Sequence, residues 1–375
     1  MKVLLVGYKL SLGIDLYMDM LYRGLTAKGV ETYCAGDRNY SNPGPHFFPI
    51  SNGGGKTSLI KDALSFGGYR AFRDVLRRVN PDVVFFVGAH PMNFISALIC
   101  RKVCPGAYIM SHIHDPTSHS GAGWMITVFG FLSQITQCWA SHLTIVAGET
   151  LRAEVHRYYG LPLERIQVVH FPAHRDEEEL DSRAPEGPKT YLAVLGRIED
   201  YKGVDVFLEA ASILLEDPGR FPLPAGLKFL VGGGGDMAKY QKLIERLPKD
   251  RVDIRNYIVP NEEFDEILRN SYACVLPYRD GTMTLFIQVA YFHGCPVLVT
   301  RVGSLPELVL EGETGLVVPP SDPRALAEAM HAFARDPEDR LRMGRKAQAY
   351  CMENLTWSQT ADYYVRFWKA TLGKA

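Results

Sequence analysis

The chain has 375 residues, 47 % of them hydrophobic and 22 % charged, with a net charge of −1. That is enough for two domains with separate cores, and the composition excludes disordered and fibrous classes. The balance gives no sign of nucleic-acid binding, although residues 1–172 carry 16 Lys and Arg against 11 Asp and Glu, and the rest is acidic.

Short apolar runs alternate with helical periodicity. KVLLVG (2–7), ETYCAG (31–36), DVVFFVG (82–88), AYIMSH (107–112), LTIVAG (143–148) and IQVVHF (166–171) read as strands. Helical stretches lie over 13–28, 58–78, 92–103 and 149–158. This βαβ series predicts a parallel sheet covered on both faces. The first run is broken by Gly7 and Lys9 and has no cleavage site after it, so it reads as a buried strand and not a signal peptide. Gly121 to Trp139 is the nearest approach to a membrane span, but Ser133, Gln134 and Gln137 interrupt it. FPAHRDEEELDSRAPEGPKT (171–190) is acidic and lacks an apolar period; it reads as a linker with a solvated acid run, Asp176 to Glu179.

A second series follows, with TYLAVLGR (190–197), LKFLVGGG (227–234), RVDIRNYI (251–258), YACVLPY (272–278), PVLVT (296–300) and TGLVVPP (314–320) as strands. The expected domains are 1–172 and 190–356, joined by a linker at 173–189, with an amphipathic helix over 357–372 at the end. Seven scattered cysteines without a C-x-x-C pair fit buried free thiols in a reducing compartment.

Three motifs read blandly. Gly55-Lys56-Thr57 ends like a P-loop, but the required glycine five residues earlier is Ile50. His112, His114, Asp115 and His119 fail metallohydrolase spacing because position 116 is Pro. Gly232 to Gly235 lacks the dinucleotide fingerprint and reads as a loop skirting a nucleotide, with Gly233 as a candidate contact.

CVLPYRDGTMTLFIQVAYFHGCPVLVTRVGSLPELVLEGETG (274–315) carries more information. The turn Asp280-Gly281-Thr282 ends a strand, Met283 to Phe292 reads as a helix, and Gly294-Cys295-Pro296 breaks it. Donor groups at a helix start make an anion site. In LGRIEDYKG (195–203), Arg197 and Lys202 stand at the end of another strand, so two strand ends can meet one phosphate-bearing ligand.

These two blocks resemble the donor-binding half of family-4-type retaining glycosyltransferases of the GT-B fold. The subgroup is one with a Pro-Tyr…Thr-Gln-Ser-Gly type loop before an Ala-Tyr…Gly-x-Pro-Val helix and strand. The resemblance implies an α/β architecture of two Rossmann-like domains whose parallel sheets face across a cleft, with the helix of 357–375 packing back on the first. It implies retaining, metal-independent transfer of a sugar from a nucleoside-diphosphate sugar to an acceptor hydroxyl on a glycan, a lipid-linked molecule or a small molecule, with no cofactor. Arg197 and Lys202 would take up charge on the diphosphate, and Thr282, Met283, Thr284 and Glu307 would line the donor pocket. SHIHDPTSHSG (111–121) is similar to the subgroup's His-Asp loop, which casts His114 and Asp115 as catalytic and His119 as a substrate contact. A neutral imidazole beside a carboxylate can take a hydroxyl proton. Gly13 stands where the family has a glycine pair beside the diphosphate.

The chain departs from many relatives of this kind at Gly281 and Val289, where two glutamates eight apart would stand. Thr282 and Thr284 keep hydroxyls of the donor loop; Met283 and Leu285 do not match it. A catalytically inactive nucleotide-binding subunit and a nucleotide-sugar epimerase of the same fold remain alternatives. Lys61, Arg70, Arg73, Arg77 and Arg78 among Leu59, Ile60, Leu64, Phe66, Phe72 and Leu76 read as a basic amphipathic helix. Such a helix over 56–79 would touch an anionic membrane, giving a cytoplasmic protein peripheral at the inner face.

Overall fold

β1 (Lys2–Gly7) opens the fold as its sequence requires: Val3 to Val6 are wholly buried, as in a strand covered on both faces. The computed structural model describes residues 1–8, 13–40, 44, 46–51, 66–116, 124–175 and 189–374. His119, Ser11-Leu12, Gly55-Lys56-Thr57, residues 56–65 of the basic segment and the acid run Asp176 to Glu179 lie outside them.

The chain divides into two compact units, Met1–His170 with Trp357–Ala375, and Phe171–Thr356. In the first, β2 (Glu31–Asp37), β3 (Phe47–Ser51), β4 (Val83–Phe86), β5 (Tyr108–His112), β6 (Leu143–Val146) and β7 (Ile166–Val168) join β1 in one parallel sheet, ordered β3-β2-β1-β4-β5-β6-β7. The strand order reverses between β1 and β4, and ligands of such sheets bind beyond the strand ends at that point. The helices are α1 (Ile14–Ala27), α2 (Phe66–Val79), α3 (Met92–Val103), α4 (Trp124–Ala140) and α5 (Glu149–Tyr159).

The second unit has a parallel sheet of β8 (Tyr191–Leu195), β9 (Lys228–Gly232), β10 (Val252–Arg255), β11 (Ser271–Leu276), β12 (Val297–Thr300) and β13 (Gly315–Val318). Its order, β10-β9-β8-β11-β12-β13, reverses between β8 and β11. Its main helices are α6 (Val204–Glu216), α7 (Asn261–Arg269), α8 (Phe286–Phe292), α9 (Pro323–Arg335) and α10 (Pro337–Asn354). Residues at the start of the expected linker already pack in this unit: Ala173 is buried and donates its N–H to Leu355 O at 2.8 Å. Arg175 grips the carboxylate of Asp265 with Nε at 3.0 Å.

α11 (Trp357–Leu372) completes the first unit. Ala361 and the Trp357 carbonyl lie so close to Gly24 of α1 that a Cβ there would meet each at 3.2 Å. Trp368 is fully buried with Nε1 donating to Met110 Sδ at 2.9 Å, and Tyr364 and Tyr17 share a hydroxyl hydrogen bond of 3.2 Å.

Three expectations change. β3 was not foreseen; FFPIS carries Pro49, which a sheet edge tolerates because no partner needs its missing N–H. The helix expected from Met283 starts at Phe286, because Thr284 Oγ1 accepts the Phe286 N–H at 3.3 Å and stops the helix there. In α2, Phe72 and Leu76 are wholly buried in the core while Phe66 is 79 % exposed, so the apolar face expected of this helix shrinks, within Phe66–Val79, to its first turn beside the arginines. No helix among the described residues is long and apolar enough to cross a membrane.

Candidate active site

Lys202 lies in the loop after β8, one of the two strands at the reversal of the second sheet. It is 7 % exposed, although a charged ammonium favours water. Its Nζ lies 5.0 Å from the ring centroid of Phe286, 5.6 Å from that of Tyr278 and 6.0 Å from that of Tyr201. Aromatic faces attract a cation but offer no full counter-charge. No carboxylate lies within ion-pair distance of it among the described residues. Burial therefore pulls its pKa down to about 8, with Glu199 acting against that shift and Arg197 with it. A buried cation held without a carboxylate is a candidate anion site.

Three backbone crossings build this corner. Gly203 caps α6 with φ +68°, and a Cβ on it would sit 2.0 Å from Pro277 O, so α6 can start against the end of β11 only with glycine there. A Cβ on Gly303 would lie 2.2 Å from Gly281 O, and one on Gly233 1.9 Å from Gly196 O. The loops after β8, β9, β11 and β12 thus press together at the carboxyl end of the sheet. Arg279 fastens the β11 loop to α6: Nη2 meets Asp205 at 2.5 Å, Nη1 donates to Asp200 O at 3.2 Å, and its N–H donates to Tyr201 O at 2.6 Å.

The other candidates of this unit sit around the same loops. Thr282 and Thr284 are buried; the Thr282 carbonyl accepts the Ser304 N–H at 2.9 Å, and Met283 between them is half-buried. Glu307 lies in the short turn Leu305–Leu308 after β12. Gly233 follows β9 and donates its N–H to Arg255 O at 2.9 Å. Arg197 differs from Lys202: its side chain is 74 % exposed and pairs with Glu199 at 3.3 Å. Val289 fills a core position, and Gly281 has no side chain, so neither place where a glutamate was sought carries an acid. Sequence reading did not single out Tyr201, Tyr278 and Phe286 as a cage. The one available signal was Tyr278, the Tyr of the Pro-Tyr pair.

In the first unit, β5 leads into His112, His114 and Asp115. The imidazoles of His112 and His114 stack with centroids 4.5 Å apart, and Tyr17 of α1 meets both edge-on. His114 Nε2 lies 2.9 Å from Val87 O; donating there, it leaves Nδ1 as the acceptor nitrogen. Burial holds the His114 pKa below the ordinary histidine range, against the pull of the Val87 carbonyl and Asp115. Gly13 precedes α1 with φ +101° and, among the described residues, has no atom within 4 Å of where a Cβ would lie. The neighbouring Gly88 and Ile14 bring the β4 and α1 ends together, so Gly13 and His114 share one corner of this unit. Among the described residues no three His, Cys, Asp or Glu side chains gather as a metal-ligand group.

Residues 13–174 match the family model described as Glycosyltransferase Family 4, and residues 189–336 match Glycosyl transferases group 1. Over 242 residues the chain is 32 % identical to the D-inositol 3-phosphate glycosyltransferase of Corynebacterium efficiens, covering 59 % of this chain and 54 % of the relative. It is 34 % identical over 229 residues to the enzyme of that name from Streptomyces avermitilis, covering 56 % and 49 %. The chain spans about half the length of the curated relatives it matches. Among solved structures, sucrose-phosphate synthase from Thermosynechococcus elongatus superposes with a TM-score of 0.71 at 17 % identity, covering 99 % of both chains. HepE from Anabaena in complex with UDP gives 0.69 at 12 %, covering 99 % of this chain and 100 % of that one. At such identities the likeness shows the fold, which is GT-B: two Rossmann-like units with parallel sheets.

Proposed function

For a chain of GT-B fold whose two halves match the two glycosyltransferase family models, we propose retaining transfer of a sugar from a nucleoside-diphosphate sugar to an acceptor hydroxyl. The observation that carries this reading is Lys202, a buried ammonium on three aromatic rings at the strand reversal of the second sheet. Breaking the glycosidic bond leaves extra negative charge on the diphosphate, and a fixed cation in a partly dry site stabilises it as it forms. Lys202 supplies that charge in this reading, with Arg197 adding a solvent-facing cation, and the step needs no metal ion. Solved relatives of this fold with UDP or UDP-glucose bound support a nucleotide sugar as donor. His114, in the loop that follows β5, would meet a sugar or acceptor hydroxyl in this reading. The reading includes an acceptor hydroxyl on a glycan, a lipid-linked molecule or a small molecule, and peripheral contact of segment 56–79 with an anionic membrane surface.

The missing acids at Gly281 and Val289 favour a second reading, a subunit that binds nucleotide without turnover. One experiment separates the two. Nucleoside diphosphates are titrated calorimetrically, and each corresponding sugar nucleotide is then incubated with an acceptor panel and followed by mass spectrometry for transfer and by proton NMR for anomeric configuration and epimerisation. Transfer with net retention supports the enzyme. Binding without transfer or release supports the subunit, and an isomerised sugar nucleotide would establish an epimerase instead.

A further inference from the structure

The strands β3, β4, β5 and β6 advance in one direction across the first sheet, so right-handed crossovers place α2, α3 and α4 on one face. There α2 packs on α3 and α3 on α4. The Arg101 guanidinium of α3 donates through Nη2 to Ala140 O at the end of α4, at 3.0 Å, which holds those two helices as one surface. α4 has no charged residue in 17 positions. Its described side chains Val128, Leu132 and Trp139 lie on one stripe and are each about half exposed, and Phe129 beside them is 70 % exposed. α3 extends this surface with exposed Ile95 and Leu98. Contiguous large apolar side chains on a soluble face mark a contact surface.

The charge next to this stripe identifies the occupant. α2 and α3 carry Arg70, Arg73, Arg77, Arg78, Arg101 and Lys102 against one acid, Asp74. A second copy meeting this face across a two-fold axis would oppose the same cations to each other. Trp139 is half exposed and held in place, its indole N–H donating to Tyr159 O at 3.0 Å and the Arg165 guanidinium lying 5.6 Å from its ring centroid, so a rigid aromatic edge and a cation meet at this end of the stripe. We propose that the α3–α4 face, with the arginines of α2 at its edge, docks on an anionic lipid bilayer, seating Phe129 and Leu132 at the headgroup–acyl boundary. This deepens the membrane contact proposed above, and moves it from the basic segment to the apolar face two helices away.

The test is co-sedimentation of the whole chain with vesicles of phosphatidylcholine alone or mixed with phosphatidylglycerol. Binding is expected to the mixed vesicles, weaker in high salt and weaker still to phosphatidylcholine. Phe129→Asp with Leu132→Asp should reduce partitioning about tenfold or more, with an unchanged circular dichroism melt. Trp139 fluorescence should shift to the blue on mixed vesicles, and Trp139→Phe should remove most of that shift. Wild-type protein left in solution with mixed vesicles at low salt overturns the proposal. So does full binding by the double variant, or a dimer in sedimentation velocity that the double variant dissolves. Turnover on a soluble acceptor is measured alongside, so that lost vesicle binding with intact transfer, or the reverse, separates this proposal from the transfer reaction.

Discussion

Lys202 costs the folded protein something at neutral pH, since its ammonium is held away from water. Its folded pKa of about 8 lies below the unfolded value of 10.5, so between the two the unfolded chain binds more protons. Stability therefore rises with pH across that window, and the penalty is present in full below it. Affinity for a nucleoside diphosphate should run the other way, falling as pH passes about 8 and the cation is lost. Calorimetric titration over that range checks this, and Lys202→Met should flatten the profile. The same variant should lose about 3 kcal/mol of transition-state stabilisation, a hundredfold drop in kcat, while melting no lower than wild type. A folded Lys202→Met with near-normal turnover would remove the proposed mechanism. His114→Ala should lower kcat with little effect on diphosphate affinity; equal losses in both would make the imidazole structural. Lys202 itself was legible from its strand-end place in the sequence. Its burial was not, because the cage draws Tyr201 and Tyr278 from two loops and Phe286 from the start of α8, which only the folded sheet brings together.

The elements around that lysine are held by a few close contacts. Gly203→Ala would force an alanine into the left-handed region and drive its Cβ into Pro277 O. A loss of about 2 kcal/mol or more is expected, read from denaturant unfolding, with weaker diphosphate binding because the start of α6 must move. Arg279→Ala should leave stability nearly unchanged, since the ion pair with Asp205 is partly exposed, and raise KM for the donor severalfold by loosening the β11 loop. Strands buried on both faces were plain in the sequence, and KVLLVG runs from Lys2 to Gly7 as read. What failed lies at edges and starts. Pro49 hid an edge strand, and the hydroxyl of Thr284 shortened a helix whose apolar pattern began earlier. The uncharged run at 121–139 reads in the sequence as an interrupted span, whereas in α4 one side is core and the other is open.

At the scale of the molecule, the first unit is assembled from the two ends of the chain and the second from one uninterrupted stretch. Trp368→Ala should cost about 3–5 kcal/mol in the first unit, because the indole is wholly buried against Met110. Calorimetry with and without a nucleoside diphosphate would assign the lowered transition to that unit, since only the other should gain stability from the ligand. The order of synthesis follows from the same arrangement. As the chain leaves the ribosome, Tyr17 and Phe85 emerge early, but the helix that covers them, Trp357–Leu372, is translated some 300 residues later. The second unit is complete before the first can close. A ribosome-stalled chain in which residue 356 is followed by a flexible linker long enough to clear the exit tunnel should therefore protect Phe171–Thr356 from protease and leave Met1–His170 open to cleavage, with a chaperone the natural guardian of that waiting apolar face.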